Sequence, residues 1–214
     1  LIHTTGGFAM APAHEAGAAL AAHDGVDKVA FTGSTATGKA IVHAAAGNLK
    51  KVTLELGGKS PNIILADADL EKAIPAAAMA VFFNSGQTCT AATRLYVQDG
   101  VYDQVMEGIA AVAANIKVAH GFDPEAVIGP LISDRQLARV KGYVEKGRAE
   151  GGEIICGGEQ IGDTGYFFQP TLIGSTRNDM SIVREEIFGP VIAAQRFDTV
   201  EEVIALANDS SYGL

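Results

Sequence analysis

Short apolar runs alternate along the chain with segments in which apolar residues recur every three or four positions. The runs are rich in β-branched and aromatic residues, which is typical of buried strands, whereas the periodic segments are typical of amphipathic helices. Strands are predicted at 27–33, 50–56, 62–67, 94–98, 152–158, 166–174 (interrupted by Pro170) and 191–197. Helices are predicted at 13–23, 34–46, 70–83, 102–119, 133–150 and 199–207. This alternation predicts an α/β fold with parallel strands.

The length, composition and net charge of the chain restrict the classes of protein to which it can belong. A chain of 214 residues, 48 % of them hydrophobic, buries about 70 % of its unfolded surface, so it needs no disulfide or metal to fold. The net charge of −9 disfavours nucleic acid and anionic membranes as partners. No apolar run reaches the ~18 residues of a membrane span. Two cysteines without zinc spacing favour a reducing compartment, and we expect the cytoplasm.

A strand, a tight turn and a helix follow one another in "FTGSTATGKA" (31–40). Gly33 ends the strand and Ser34 begins the helix, so free backbone N–H groups face the point where a phosphate could bind. The stretch also resembles the phosphate loop of nucleotide hydrolases, but Ala40 lacks the hydroxyl that binds magnesium there. A cofactor phosphate, a nucleotide phosphate and a purely structural turn are the three interpretations.

One acidic residue interrupts the apolar strand of "TLELGGKSPN" (53–62). Glu55, between two leucines, is either an ion-paired core residue or a carboxylate with a raised pKa that can act as a base. Gly57 and Gly58 follow and allow a backbone or a ligand to approach closely, which favours a functional role. The two glycines and the proline also make this stretch the candidate domain boundary.

Cys89 lies at the end of a polar turn in "FFNSGQTCTA" (82–91). Most single cysteines are inert and buried. Here the glycine and the small flanking residues Thr88 and Thr90 predict an exposed, uncrowded sulfur, as a nucleophile requires. Cys156, in the strand-like "EIICGG", is predicted to be inert.

A fourth stretch, "REEIFGPV" (184–191), carries two acids, an aromatic residue and a Gly-Pro turn. A solvated strand entry has this composition. A glutamate beside an exposed phenylalanine also suits a ribose and a flat ring, so Glu186 and Phe188 are candidate ligand contacts.

Together the four stretches, in this order and at these separations, resemble the aldehyde dehydrogenase superfamily from about Gly17 to Leu214. The resemblance implies that Cys89 is the catalytic thiol and Glu55 the general base that activates water. It implies cofactor contacts at Gly33, Ser34, Leu56, Gly57, Glu186 and Phe188.

The resemblance also implies how the chain is organised. Residues 1–56 would be the second part of a Rossmann-like NAD(P)-binding domain, and residues 57–214 most of a catalytic domain, incomplete at its C-terminus. Ala11-Pro12-Ala13 stands where family members usually have glycines. The chain begins with Leu1 rather than Met and ends in a turn-like stretch, so we expect a piece of a longer protein. Alone, the 214 residues should be inactive or weakly active.

The reaction implied is oxidation of an aldehyde to a carboxylic acid by NAD, with NADP as the alternative, in a homo-oligomer without a metal. Family members that transfer the acyl group to coenzyme A lack a glutamate at position 55, so Glu55 favours hydrolysis. Thr88 and Thr90, which flank Cys89, and the stretch "AATRLYVQ" (91–98) are most similar to the branch of the superfamily that oxidises broad or aromatic aldehydes. The alternatives are a non-catalytic relative on the same fold, a phosphate-loop nucleotide-binding protein and a cysteine hydrolase.

Overall fold

The computed structural model describes residues 3–5 and 11–214. Contacts between Cα atoms divide the chain into two compact units, Leu1–Gly57 and Gly58–Leu214. Each unit contains its own β-sheet.

In the described part of the first unit, three parallel strands form a sheet in the order β1-β2-β3. The strands are β1 (His3–Thr5), β2 (Lys28–Thr32) and β3 (Lys51–Glu55). The helices are α1 (Ala11–Ala22) and α2 (Thr35–Ala45), and a 3-10 turn at Ala46–Asn48 follows α2. Parallel neighbours need a crossover connection, which the helices provide. Of the Ala11-Pro12-Ala13 segment, the structure describes the backbone, which begins α1.

The second unit is built on a five-stranded sheet in the order β4-β5-β8-β7-β6. Its strands are β4 (Pro61–Ile64), β5 (Arg94–Gln98), β6 (Glu153–Cys156), β7 (Thr171–Gly174) and β8 (Val191–Phe197). Its helices are α3 (Leu70–Phe82), α4 (Tyr102–Asn115), α5 (Asp134–Ala149), α6 (Ser181–Arg184) and α7 (Val200–Asn208). Short 3-10 turns lie at Phe83–Gly86 and Asp99–Val101.

Helices cover both faces of this sheet. Leu172 and Ile192 point to the face covered by α3 and α4, whereas their neighbours Ile173 and Val191 point to the face covered by α5 and α6. Successive strand residues therefore alternate between two apolar cores. Burial on both faces explains why the central strands are continuous apolar runs in the sequence. The predicted α/β class with mainly parallel strands is confirmed.

Three details differ from the sequence-based expectation. Edge strand β6 is antiparallel to β7. The helix expected to reach residue 119 ends at Asn115, because the following residues are extended and Val118 forms a β-bridge with Ile128. The strand expected at 166–174 begins only at Thr171, since Pro170 has no N–H for a ladder. In the described parts of the chain, no helix has the length and apolar character needed to cross a bilayer.

Candidate active site

The turn between β2 and α2 is held by three contacts. The Gly33 N–H donates to the Glu55 carbonyl at 3.0 Å, and the Ser34 hydroxyl caps α2 by accepting from the Thr37 N–H at 3.2 Å. A Cβ on Gly38 would lie 2.7 Å from Cδ2 of Leu56, so α2 packs tightly on the end of β3. The first-turn N–H groups of α2 that Ser34 does not cap have no acceptor within the helix. They are available to an anion such as a phosphate.

Glu55 is the last residue of β3, and its side chain is exposed. Among the ion pairs of the described residues, none involves Glu55. The interpretation of Glu55 as an ion-paired core residue is therefore wrong for the described chain. Leu56 and Gly57 follow it and are half-buried.

The turn that carries Cys89 has an unusual backbone. Asn84, Ser85 and Gly86 have consecutive positive φ angles of 52°, 55° and 70°. Non-glycine residues rarely adopt this conformation, so side-chain bonds must hold it. The Ser85 hydroxyl donates to the Gly129 carbonyl at 2.7 Å, and the Asn84 amide donates to the Gln87 carbonyl at 3.0 Å.

Gln87 fixes the far side of the same turn, because its side-chain oxygen accepts from the Ile132 N–H at 2.9 Å. A bond of 3.1 Å from the Ala91 N–H to the Thr88 carbonyl then closes a turn with Cys89 inside it. Cys89 is half-buried and free. The turn therefore presents the sulfur on a backbone that is braced on both sides.

Two glycines bring the cysteine turn to the 184–191 stretch. A Cβ on Gly86 would lie 2.0 Å from the Gly189 carbonyl oxygen, so the two backbones are in direct contact. A Cβ on Gly58 would lie 2.3 Å from the Cys89 carbonyl oxygen, and the Gly58 N–H donates to Oε1 of Glu186 at 3.2 Å. Gly58 thus joins the backbone of Cys89 to the carboxylate of Glu186.

The loop that carries Glu186 is held from one face of α5. Phe188 has a positive φ of 60°. The Gln136 amide donates to the carbonyls of Ile187 (3.1 Å) and Phe188 (2.7 Å), and the Arg139 guanidinium donates to the carbonyls of Ile187 (3.2 Å) and Glu186. These four bonds hold the strained loop, so we call Gln136 and Arg139 the α5 clamp.

Tyr143, one turn further along α5, donates its hydroxyl to Glu185 at 2.6 Å. Burial, and then this bond to a carboxylate, raise the pKa of Tyr143 to about 12. The hydroxyl therefore stays protonated and keeps donating over the whole physiological pH range.

The α5 clamp was not predicted from the sequence. Ser133 and Gln136 have the spacing of a reciprocal capping box, but only half of it forms: the Ser133 hydroxyl accepts from the Gln136 N–H at 3.2 Å. The Gln136 side chain turns to the loop instead of back to Ser133. The only available signal was the i, i+3, i+7 spacing of Gln136, Arg139 and Tyr143, which puts them on one helix face without saying what that face contacts.

The second unit therefore brings two of the predicted residues, Cys89 and Glu186, to Gly58. Phe188 lies in the same loop as Glu186. The first unit gathers Gly33 and Ser34 with the end of β3, where Glu55, Leu56 and Gly57 follow one another.

A family model described as "Aldehyde dehydrogenase family" matches residues 8–214. The mitochondrial aldehyde dehydrogenase of Homo sapiens is 50 % identical over 200 residues, which are 93 % of this chain and 39 % of that protein. The NAD+ complex of an aldehyde dehydrogenase from Bacillus cereus superposes with a TM-score of 0.91 at 50 % identity, covering 93 % of this chain and 40 % of that one. For the NAD+ complex of betaine aldehyde dehydrogenase from Staphylococcus aureus the TM-score is 0.89 at 41 % identity, covering 92 % of this chain and 40 % of that one. The chain thus spans about two fifths of the length of these relatives.

Proposed function

We propose, because this chain belongs to the aldehyde dehydrogenase family, that the full-length protein oxidises an aldehyde to a carboxylic acid with NAD. NAD is proposed ahead of NADP because two similar structures are NAD+ complexes. The first unit is proposed as part of the cofactor domain and the second as most of the catalytic domain.

One observation carries this proposal. Gly58 contacts the backbone of Cys89 and donates its N–H to Glu186. Cys89 is the candidate nucleophile, and Glu186 is the candidate acceptor of hydrogen bonds from the ribose. They lie 97 positions apart in the sequence, yet both contact the backbone of Gly58 within a single unit. A cysteine that served only as a packing residue would not require an adjacent turn with three consecutive positive φ angles.

The chemistry begins at the sulfur of Cys89. Its thiolate adds to the aldehyde carbonyl carbon, forming a hemithioacetal whose oxyanion requires hydrogen-bond donors. Within the described residues, the backbone N–H of Cys89 donates to no acceptor, which leaves it available for that oxyanion.

The cofactor site is proposed from the residues that fit it. The uncapped N–H groups that start α2 beside Ser34 suit the pyrophosphate, and the carboxylate of Glu186 suits the hydroxyls of the nicotinamide ribose. Phe188 would lie beside the nicotinamide, and Leu56 and Gly57 would line the approach to it. When bound, NAD supplies the acceptor for the hydride that leaves the hemithioacetal carbon as the Cys89 thioester forms.

Glu55 is proposed as the general base that takes a proton from the water that hydrolyses the thioester. Its side chain is exposed at the end of β3 and is free of ion pairs among the described residues, as a base that must exchange protons requires. Hydrolysis releases the carboxylic acid and regenerates the Cys89 thiol.

Replacing Glu55 by Gln in the full-length protein tests this assignment. Because a general base contributes roughly 10²–10⁴ in rate, steady-state NADH production should fall by about that factor. A burst of about one NADH per active site should remain, with acyl-Cys89 accumulating behind it, as rapid quench and mass spectrometry would detect. Glu153→Gln, at an exposed glutamate of β6, is the matched control and should leave turnover unchanged.

The NADH burst distinguishes the possible roles of Glu55. If Glu55 also deprotonates Cys89, the burst itself slows and recovers as the pH approaches the ~8.5 of a free thiol. Near-normal turnover per folded molecule without a trapped acyl-enzyme would contradict a catalytic role for Glu55.

A homo-oligomer and a cytoplasmic setting are further proposals. The two free cysteines support a reducing compartment. Broad or aromatic aldehydes are the proposed substrate class. A panel of such aldehydes, assayed by the absorbance of NADH at 340 nm, is the first test.

A further inference from the structure

Lys59 is a buried lysine with no hydrogen-bond partner for its ammonium among the described residues. The residue is 1 % exposed. Its backbone is held on both sides, because its N–H donates to the Leu214 carbonyl at 2.9 Å and its carbonyl accepts from Nε of Arg94 at 2.7 Å. The backbone of Lys59 is therefore fixed, and its side chain is shielded from water. Burying an unpaired charge costs stability, which an apolar side chain of similar length at this position would avoid.

The charges around Lys59 come from two elements. Arg94 of β5 is positive, and Glu186 and Glu185 of the loop after α6 are negative. Burial, then Arg94, lower the pKa of Lys59 to about 7, against the opposing effect of the two glutamates. Lys59 also directly follows Gly58, whose N–H binds Oε1 of Glu186 at 3.2 Å. The amine of Lys59 is thus a buried, titratable positive charge on the residue next to Gly58, whose N–H binds the carboxylate of Glu186.

We propose that Lys59 is a positioning residue for Glu186: the positive charge of its ammonium holds the carboxylate in place beside Gly58, ready to accept hydrogen bonds from the ribose hydroxyls of NAD. This inference rests on the proposed function, because it needs Glu186 to bind the ribose. Lys59 touches neither the ribose nor the aldehyde and acts only through the charge that it presents to Glu186. Its effect should therefore appear in the binding of NAD rather than in the chemistry at Cys89.

The test compares Lys59→Met with wild type in the full-length protein. Isothermal titration calorimetry should give an NAD Kd that is roughly 5- to 50-fold higher for the variant at about pH 6.5, the range of a coupling between two sites. The KM for NAD should rise by a similar factor, while kcat at saturating NAD stays within about threefold, because uniform binding is lost. As the pH rises through 7, wild type should lose affinity as its ammonium deprotonates, whereas the variant should not.

Two controls make the result specific. Lys50→Met removes another buried lysine without a partner for its Nζ in the described chain, outside the second unit, and should leave the NAD Kd unchanged. In a Glu186→Gln background, Lys59→Met should change the Kd by less than about twofold, because the interaction that it supports is already lost.

Folding is checked separately, by denaturation at several pH values. The pKa of Lys59 lies below its unfolded value of 10.5, so between about pH 7 and 10.5 the unfolded wild-type chain binds more protons than the folded one. The free energy of unfolding of wild type, relative to Lys59→Met, should therefore rise with pH across this window. The variant itself should be no less stable than wild type at pH 7.

The outcomes separate this inference from the function on which it rests. If Glu186→Gln weakens NAD binding and Lys59→Met does not, the positioning role is wrong and the proposed function stands. Additive effects of the two substitutions would also overturn the positioning role, because Lys59 would then act independently of Glu186. If Glu186→Gln leaves the Kd unchanged, the assignment of the ribose site fails, and this inference fails with it.

Discussion

At the scale of single residues, the two cysteines show how differently one residue type can be used. Cys156 ends strand β6 and packs against the apolar core formed with α3 and α4, where burial raises the pKa of its thiol. Cys89 lies in a braced turn outside any strand or helix. A thiol with a raised pKa carries less thiolate, and the thiolate is the reactive form.

The thiols should therefore differ in their rate of alkylation. In the full-length protein we expect iodoacetamide to modify Cys89 at least about tenfold faster than Cys156, and a bound aldehyde to protect Cys89. Cys89→Ala should abolish aldehyde oxidation, while Cys156→Ala should leave turnover within about threefold of wild type, since its loss removes only a part-buried thiol. Peptide mass spectrometry reads out both sites, and faster labelling of Cys156 would overturn the assignment of the nucleophile.

At the scale of elements, α5 has two tasks. Its buried residues Leu137, Val140 and Val144 pack against the sheet, while the α5 clamp holds the carbonyls of residues 186–188. Because Phe188 has a positive φ, the loop would relax to another conformation without these bonds. A helix face can thus set the geometry of a binding loop through the loop's backbone.

Removing the clamp should cost cofactor affinity more than stability. A hydrogen bond from a charged donor contributes about 1.5–3 kcal/mol, so Arg139→Ala should raise the Kd for NAD by roughly tenfold or more. Arg135→Ala, an exposed arginine in the first turn of the same helix, is the control and should change the Kd by less than about twofold. Equal effects of the two substitutions, measured by calorimetry, would show that the clamp does not hold the loop.

At the scale of the whole molecule, the 214 residues form two units and span about two fifths of the length of their relatives. Expressed alone, the chain should oxidise aldehydes at least roughly 10²-fold more slowly than the full-length protein, which is the cost of losing a single oxyanion donor. NADH production by both polypeptides under the same conditions is the measurement. Comparable rates per mole would contradict this expectation and would place all the catalytic groups within these residues.

The sequence by itself determined the class of the fold and the family. Alternating strand and helix patterns are local properties, and so are the glycine turns and the cysteine turn, because neighbouring residues dictate them. The α/β class and the family membership are both confirmed, whereas the roles of Cys89, Glu55 and the cofactor contacts stay predictions.

Tertiary structure alone decided which of these local features meet. Gly86 packs on Gly189, and Gly58 lies between Cys89 and Glu186, because strands β4, β5 and β8 are neighbours in one sheet. The pairing order of strands far apart in sequence depends on how apolar surface is buried over the whole unit, which no local pattern encodes. For the same reason the α5 clamp and the buried charge of Lys59 are invisible in the sequence: a lysine in a glycine-rich stretch is expected at the surface, and only the packing around it removes it from water.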